Sequence, residues 1–195
     1  MGRRPLPGRT TLSILLITKN ESARLRRCLE SVRWADEIVV VDGQSTDGTQ
    51  DIARGYGAKV IERPFSGSFA EERNAGLDPS TGDWVIQMDA DERVSDGLRQ
   101  ALERLLASPQ APYAAYQVRR KNYFLGHWMR YGGWYHHHLC VFRRRGARYD
   151  GLVHERLTVD GPVGVLDADL EHYPFESVTQ FIDRQNRYTS LQAEE

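Results

Sequence analysis

The apolar positions of this chain fall into short runs, and each run is followed by a polar cluster. Residues 12–17 form a continuous β-prone stretch, after which Ala23, Leu25, Cys28, Leu29 and Val32 recur at helical spacing. Residues 37–41 repeat the strand pattern, and Ser45, Thr46 and Asp47 offer N-caps to a helix carrying Asp51, Ile52 and Ala53. Residues 58–61 predict a third strand, 69–77 a helix and 83–88 a fourth strand. Ser95 caps a further helix through Leu98, Leu102, Leu105 and Leu106, which Pro109 and Pro112 close. Strands and helices alternating in this way predict an α/β fold with a mostly parallel sheet.

Near residue 110 the composition turns aromatic, basic and Gly-rich. Beyond it, residues 113–118, 139–142 and 157–159 read as strands and 174–191 as an amphipathic helix. The 195 residues suit one domain, with a first half of about 10–110 and a smaller mixed region of about 111–195. A composition with 40% hydrophobic and 27% charged residues excludes a long disordered or fibrous chain. The apolar run at 12–17 is too short for a secretory leader or a span of roughly 20 residues, so any membrane contact made by this chain is expected to be peripheral.

Charge changes the picture in one place. The formal net charge is −1, yet residues 113–149 hold Arg119, Arg120, Lys121, Arg130, Arg143, Arg144, Arg145 and Arg148 without an Asp or Glu. Such a block is either a solvated face or an attractor of phosphate, an anionic glycolipid or a membrane surface. No nucleic-acid motif accompanies it, so nucleic acid is not an expected partner. Cys28 and Cys140 form no CxxC pair and are read as free thiols, in keeping with a cytoplasmic protein.

Ligands of open α/β sheets bind outside the carboxyl ends of the strands. Those ends carry Thr18-Lys19-Asn20-Glu21, Asp42-Gly43-Gln44-Ser45-Thr46-Asp47, Glu62-Arg63 and Asp89-Ala90-Asp91-Glu92. Neither GxGxxG nor GxxxxGK[ST] is present to cradle a phosphate. Asp89 and Asp91 instead offer hard oxygen ligands for Mg or Mn, which can neutralise charge on a departing diphosphate. An isolated DxD is commonly a surface turn or a helix cap; following a buried strand, it becomes a metal-site candidate. Asp42 is placed to accept from a nucleobase, and Arg73, beside Asn74, to reach a phosphate.

Taken together, Ile17-Thr18-Lys19-Asn20-Glu21, Val41-Asp42-Gly43-Gln44-Ser45-Thr46-Asp47-Gly48-Thr49 and Asp89-Ala90-Asp91-Glu92 resemble the signature blocks of glycosyltransferase family 2. Asn122-Tyr123-Phe124-Leu125-Gly126, Gly132-Gly133-Trp134-Tyr135, Phe142-Arg143-Arg144 and Val153-His154-Glu155-Arg156 resemble its bacterial subfamily that includes lipopolysaccharide-core glucosyltransferases. The resemblance implies a GT-A fold and an inverting displacement on a nucleoside-diphosphate sugar, usually UDP-linked. It also implies a metal held chiefly by the second Asp of DxD, here Asp91. By position, Thr18, Glu21 and Asp42 would line base and ribose, with Asn20, Ser45 and Asp47 in the same blocks. Arg73 and Asn74 would lie near the nucleotide, and Asp89 would support ribose or metal. The expected product is a hexose, such as glucose, on a glycan or lipid-linked anionic acceptor of the cell envelope, made at the inner face of the cytoplasmic membrane.

The resemblance does not name the base that takes the acceptor proton. The family's Glu-Asp pair upstream of a tryptophan is absent, and His136-His137-His138 stands where the nearer subfamily has an acid. Glu155 is the first choice, with Asp150 and His137 as alternatives. His154 is a candidate to complete the metal shell. Trp128, Tyr131, Trp134 and Tyr135 are candidates for an acceptor platform, with His137 and Arg143 as further acceptor contacts. Zinc at His136–His138 with Cys140 is disfavoured, because successive strand residues face opposite ways. Competing functions are a nucleotidyltransferase, which would need a Gly-rich basic loop after the first strand, a phosphatase with DxD after its first strand, and a catalytically silent sugar-nucleotide or glycan-binding module.

Overall fold

The structure, a computed structural model, describes residues 10–108, 110–151 and 155–193. Its first half runs β1 (Leu12–Thr18), α1 (Ser22–Val32), β2 (Glu37–Asp42), α2 (Thr49–Gly55), β3 (Lys59–Glu62), α3 (Phe69–Leu77), β4 (Trp84–Met88), β5 (Glu92–Val94) and α4 (Asp96–Leu106). The second half runs β6 (Ala115–Phe124), β7 (His127–Trp128), β8 (Tyr135–Arg143), β9 (Arg148–Asp150), β10 (Arg156–Thr158), β11 (Val163–Phe175) and α5 (Val178–Ala193).

One nine-stranded sheet, ordered β3-β2-β1-β4-β8-β6-β11-β5 with β7 beside β6, contains strands of both halves. The strands from β3 to β4 are parallel, and the direction reverses at β8, which pairs antiparallel with β4. The composition change near residue 110 therefore falls inside one continuous sheet. The centre is β1, whose residues are nearly all buried because helices cover both faces. Ile14 and Leu16 pack with Leu25 and Leu29 of α1 and Leu98 and Leu102 of α4, whereas Leu15 packs with Ala70 and Leu77 of α3. Gly76 lets α3 lie close to the sheet, since a Cβ there would sit 2.3 Å from Leu15 Cδ1 and 2.8 Å from Val41 Cγ2. Among the described residues no helix is long and apolar enough to cross a membrane.

The largest departure from the sequence reading is β11, a strand of 13 residues where none was expected. Its acids Asp167, Asp169 and Glu171 alternate with the buried Ala168 and Leu170, a half-buried pattern that carries little β-prone character of its own. The strand also extends through Pro174, so α5 starts at Val178 rather than at 174. Its place is functionally decisive: His172 lies opposite Glu92 of β5, and the Tyr173 amide donates to the Asp91 carbonyl at 2.9 Å.

Candidate active site

The two polar blocks after β1 and β2 are laced to each other. Asn20, in the left-handed region at φ 55°, accepts from the Thr46 amide through Oδ1 at 2.9 Å, and its own amide donates to Ser45 Oγ at 2.8 Å. Asp47 accepts from the Ser22 amide at 3.0 Å and the Thr49 amide at 3.1 Å. Asp42 is fully buried beneath this loop, accepting from the Ser45 amide and Gln50 Nε2 on Oδ1 and from Thr18 Oγ1 and Ser45 Oγ on Oδ2. Burial raises its pKa, but these donors outweigh burial and hold the carboxyl below the usual range. Asn20, Ser45 and Asp47 thus build the loop, and Asp42 anchors it from below.

Above it opens a cleft of about 650 Å³, lined by Thr18, Lys19 and Glu21 from the first loop and by Asp89, Asp91, Arg120 and His172 at its acidic end. Phe65 and Phe69, 46% and 48% exposed, form its aromatic rim. At the acidic end Arg120 lies 3.3 Å from Asp89 Oδ2 and 2.7 Å from Glu92 Oε1. Glu92 Oε2 accepts the Asp89 amide at 2.8 Å, which closes the Asp89–Glu92 turn. Burial pushes Glu92 up, against the pull of Arg120. Asp91 is raised by burial, but His172, Arg120 and Arg24 reverse the shift and keep its carboxyl below the usual range. Arg120 was read from sequence only as part of the basic block and His172 not at all; both reach the site from strands of the second half.

The acidic end fits a divalent ion in a limited way. Asp91 Oδ1 is buried without a hydrogen-bond partner, and His172 Nε2 faces it at 3.4 Å. The carboxylate suits Mn or Mg and the imidazole favours Mn over Mg; His172 meets the acidic end as the sequence reading expected of His154, which lies outside the described residues. Among the described residues no group of three or more His, Cys, Asp or Glu side chains converges on one point. The site therefore matches an ion held by one or two protein ligands and completed by substrate phosphates, not a closed protein cage.

On the neighbouring flank Arg73 of α3 pairs with Glu155 Oε1 at 2.9 Å and lies 5.4 Å from the Tyr149 ring centre. Asn74 is a correction: its Nδ2 donates to the Tyr149 carbonyl at 2.8 Å and its Oδ1 accepts the Tyr149 amide at 3.0 Å. Both ends of the amide are engaged with backbone, so Asn74 ties β9 to α3 instead of facing a nucleotide. His138 sits in the same field. Burial, then Arg120 and Arg73, lower its pKa from 6.5 to about 4, so the ring is neutral at pH 7. Between those values the unfolded chain binds a proton that the folded chain refuses, so stability is complete above about pH 6.5 and falls as pH drops toward 4. Urea unfolding at pH 7.5 and 4.5 is expected to show wild type losing about 3 kcal/mol more than His138→Gln. Equal losses would refute this account of His138.

The acceptor candidates divide. Tyr135 Oη donates to Asp169 Oδ1 at 2.8 Å, and its ring meets Trp128 edge-on at 5.5 Å. Trp134 packs edge-on against Phe124 at 6.3 Å, while His137 is exposed on β8 opposite Arg119. Arg143 is a second correction. It donates to the Ala111 carbonyl at 2.9 Å, stacks over Trp84 at 4.6 Å, and pairs in register with Trp84 at the start of β4. Because β8 runs antiparallel to β4, its last residue lies at the edge of the sheet away from Asp89.

A parallel sheet whose carboxyl edge holds an acid-lined cleft, with Arg120 of β6 and His172 of β11 brought to it beyond the antiparallel β8, is an α/β architecture of the GT-A class. Residues 13–158 match the family model described as Glycosyl transferase family 2. An uncharacterised glycosyltransferase of Rickettsia typhi is 32% identical over 94% of this chain and 67% of its own length. The lipopolysaccharide core biosynthesis glycosyltransferase LpsC of Rhizobium meliloti is 31% identical over 94% of this chain and 71% of its own. In fold, the chain is similar to S. aureus TarS 1–349 in complex with UDP, with a TM-score of 0.51 and 23% identity over 58% of this chain and 36% of that one. The chain belongs to glycosyltransferase family 2.

Proposed function

We propose that this glycosyltransferase moves a hexose, glucose first among them, from a UDP-linked donor to a hydroxyl of an anionic glycan or glycolipid of the cell envelope, with inversion. The observation that carries this reading is the convergence of Asp91, its Oδ1 buried and unpartnered, with His172 at the acidic end of a cleft on the carboxyl edge of the sheet. Thr18, Glu21 and the loop anchored by Asp42 bind the nucleoside, while Asp91 and His172, with Asp89 beside them, hold Mg or Mn. An ion bound there would neutralise charge growing on the diphosphate as the sugar departs. Glu155 takes the acceptor proton; Arg73 engages Oε1 and leaves Oε2 for the hydroxyl. The excess of basic residues in 113–149 and the name of the Rhizobium relative support an anionic, lipid-linked acceptor at the inner face of the cytoplasmic membrane.

Calorimetric titration with UDP-, GDP- and CDP-sugars, with and without Mn, tests the donor reading. One UDP-sugar binding in a Mn-dependent way is the expected outcome. Equal binding of the whole panel, or none, would overturn it.

A further inference from the structure

Asn122 of β6 is buried and lies directly opposite His172 of β11 in the parallel register. It contacts two groups that together determine which way its amide points. Its Nδ2 meets the backbone carbonyl of Trp134, and its Oδ1 meets His172 Nδ1. A carbonyl can only accept, so the atom facing Trp134 must be the amide nitrogen. The atom facing His172 is then the amide oxygen, which also can only accept, and the proton of the neutral imidazole must sit on Nδ1. In the neutral ring Nε2 is then the bare nitrogen, 3.4 Å from Asp91 Oδ1, a buried oxygen with no hydrogen-bond partner among the described residues. In that tautomer two acceptors face one another, and no donor among the described residues reaches Asp91 Oδ1.

We propose that Asn122 is a positioning residue: relayed from the Trp134 carbonyl, its amide fixes His172 as the Nδ1–H tautomer and aims Nε2 at Asp91, so that the pair is prepared for a cation before one arrives. This inference rests on the donor-site reading above, in which His172 is a metal ligand. Side chains that hold the far nitrogen of a ligating histidine set its tautomer and orientation, and losing them typically weakens metal binding about 10–100-fold. The relay also gives a physical role to the start of the Asn122–Gly126 block. The strand pairing of β6 with β11 and the return of the chain at Trp134 bring its three parts together.

The first measurement is the ¹⁵N chemical shifts of His172 in the metal-free protein, at a pH where the ring is neutral. Wild type is expected to carry its proton on Nδ1; a proton on Nε2 would overturn the proposal outright, without any variant. Asn122→Leu removes the acceptor and is expected to release the ring toward the Nε2–H form and to weaken Mn binding about 10–100-fold, read by the electron paramagnetic resonance of free Mn. Asn122→Asp loses the donor to the Trp134 carbonyl but keeps an acceptor for Nδ1, and is expected to retain the Nδ1–H tautomer that Asn122→Leu releases. Unchanged tautomer and unchanged Mn affinity in Asn122→Leu would sink the relay. His172→Ala separates the two readings: if it leaves Mn affinity untouched, His172 is no ligand and the metal assignment fails, while the nitrogen shifts still decide what Asn122 does.

Discussion

Asp91→Asn is expected to lower sugar transfer by about 10³-fold, the scale of several kcal/mol of lost charge stabilisation. The substitution keeps size and shape but removes a carboxylate that lines the cleft and faces His172 Nε2. Burial works against that charge, yet His172, Arg120 and Arg24 hold its pKa below the usual range, so the substitution removes an anion that its surroundings favour. Donor binding should lose its Mn dependence in the same variant, measured by calorimetry, while far-ultraviolet circular dichroism stays that of wild type. Turnover within tenfold of wild type in a folded variant would remove Asp91 from the metal site. Asp89 is the weaker target: its side chain is 41% exposed and already engaged by Arg120.

For Glu155→Gln the expected pattern is different. Donor binding should be unchanged, and kcat should fall about 10²–10⁴-fold, the usual contribution of a positioned general base. The amide oxygen of Gln can still accept from Arg73, so the 2.9 Å contact that seats residue 155 against α3 is retained and a folding defect is not anticipated. Steady-state kinetics with saturating donor, together with donor calorimetry, separate this outcome from that of Asp91→Asn, where binding itself changes. Full transfer in Glu155→Gln would eliminate it as the base. Asp150→Asn and His137→Gln then identify its replacement in the same assay. Loss of transfer in none of the three, with donor binding intact, would favour a proton acceptor outside this set.

How much of the site could be read in advance depended on where each residue sits along the chain. Thr18, Glu21, Asp89 and Asp91 follow buried parallel strands directly, and the rule that such strands end at the ligand edge was enough to bring them to one cleft. Asp42 ends β2, and Ser45 and Asp47 lie in the loop after it, but their donors and acceptors turn toward Asn20, Ser22, Thr18 and Thr49. Pattern alone does not distinguish a carboxylate that waits for a ligand from one that holds a turn, because both favour the same residue types after a strand. Asn74 and Arg143 were misjudged for the same reason: what a side chain faces depends on its neighbour in register, and those neighbours are Tyr149 and Trp84.

The sequence by itself determined the βα alternation, the buried central strand and the acidic turn after β4, since each follows from local periodicity and from the residues that close a strand. Only the tertiary structure decided that β11 is a strand, that it lies between β6 and β5, and that its His172 meets Asp91 with Asn122 behind it. Those contacts join residues 50 or more positions apart through strand pairing. Pairing is set by the register that buries Ala168 and Leu170, a condition on the whole sheet that no local stretch of sequence expresses.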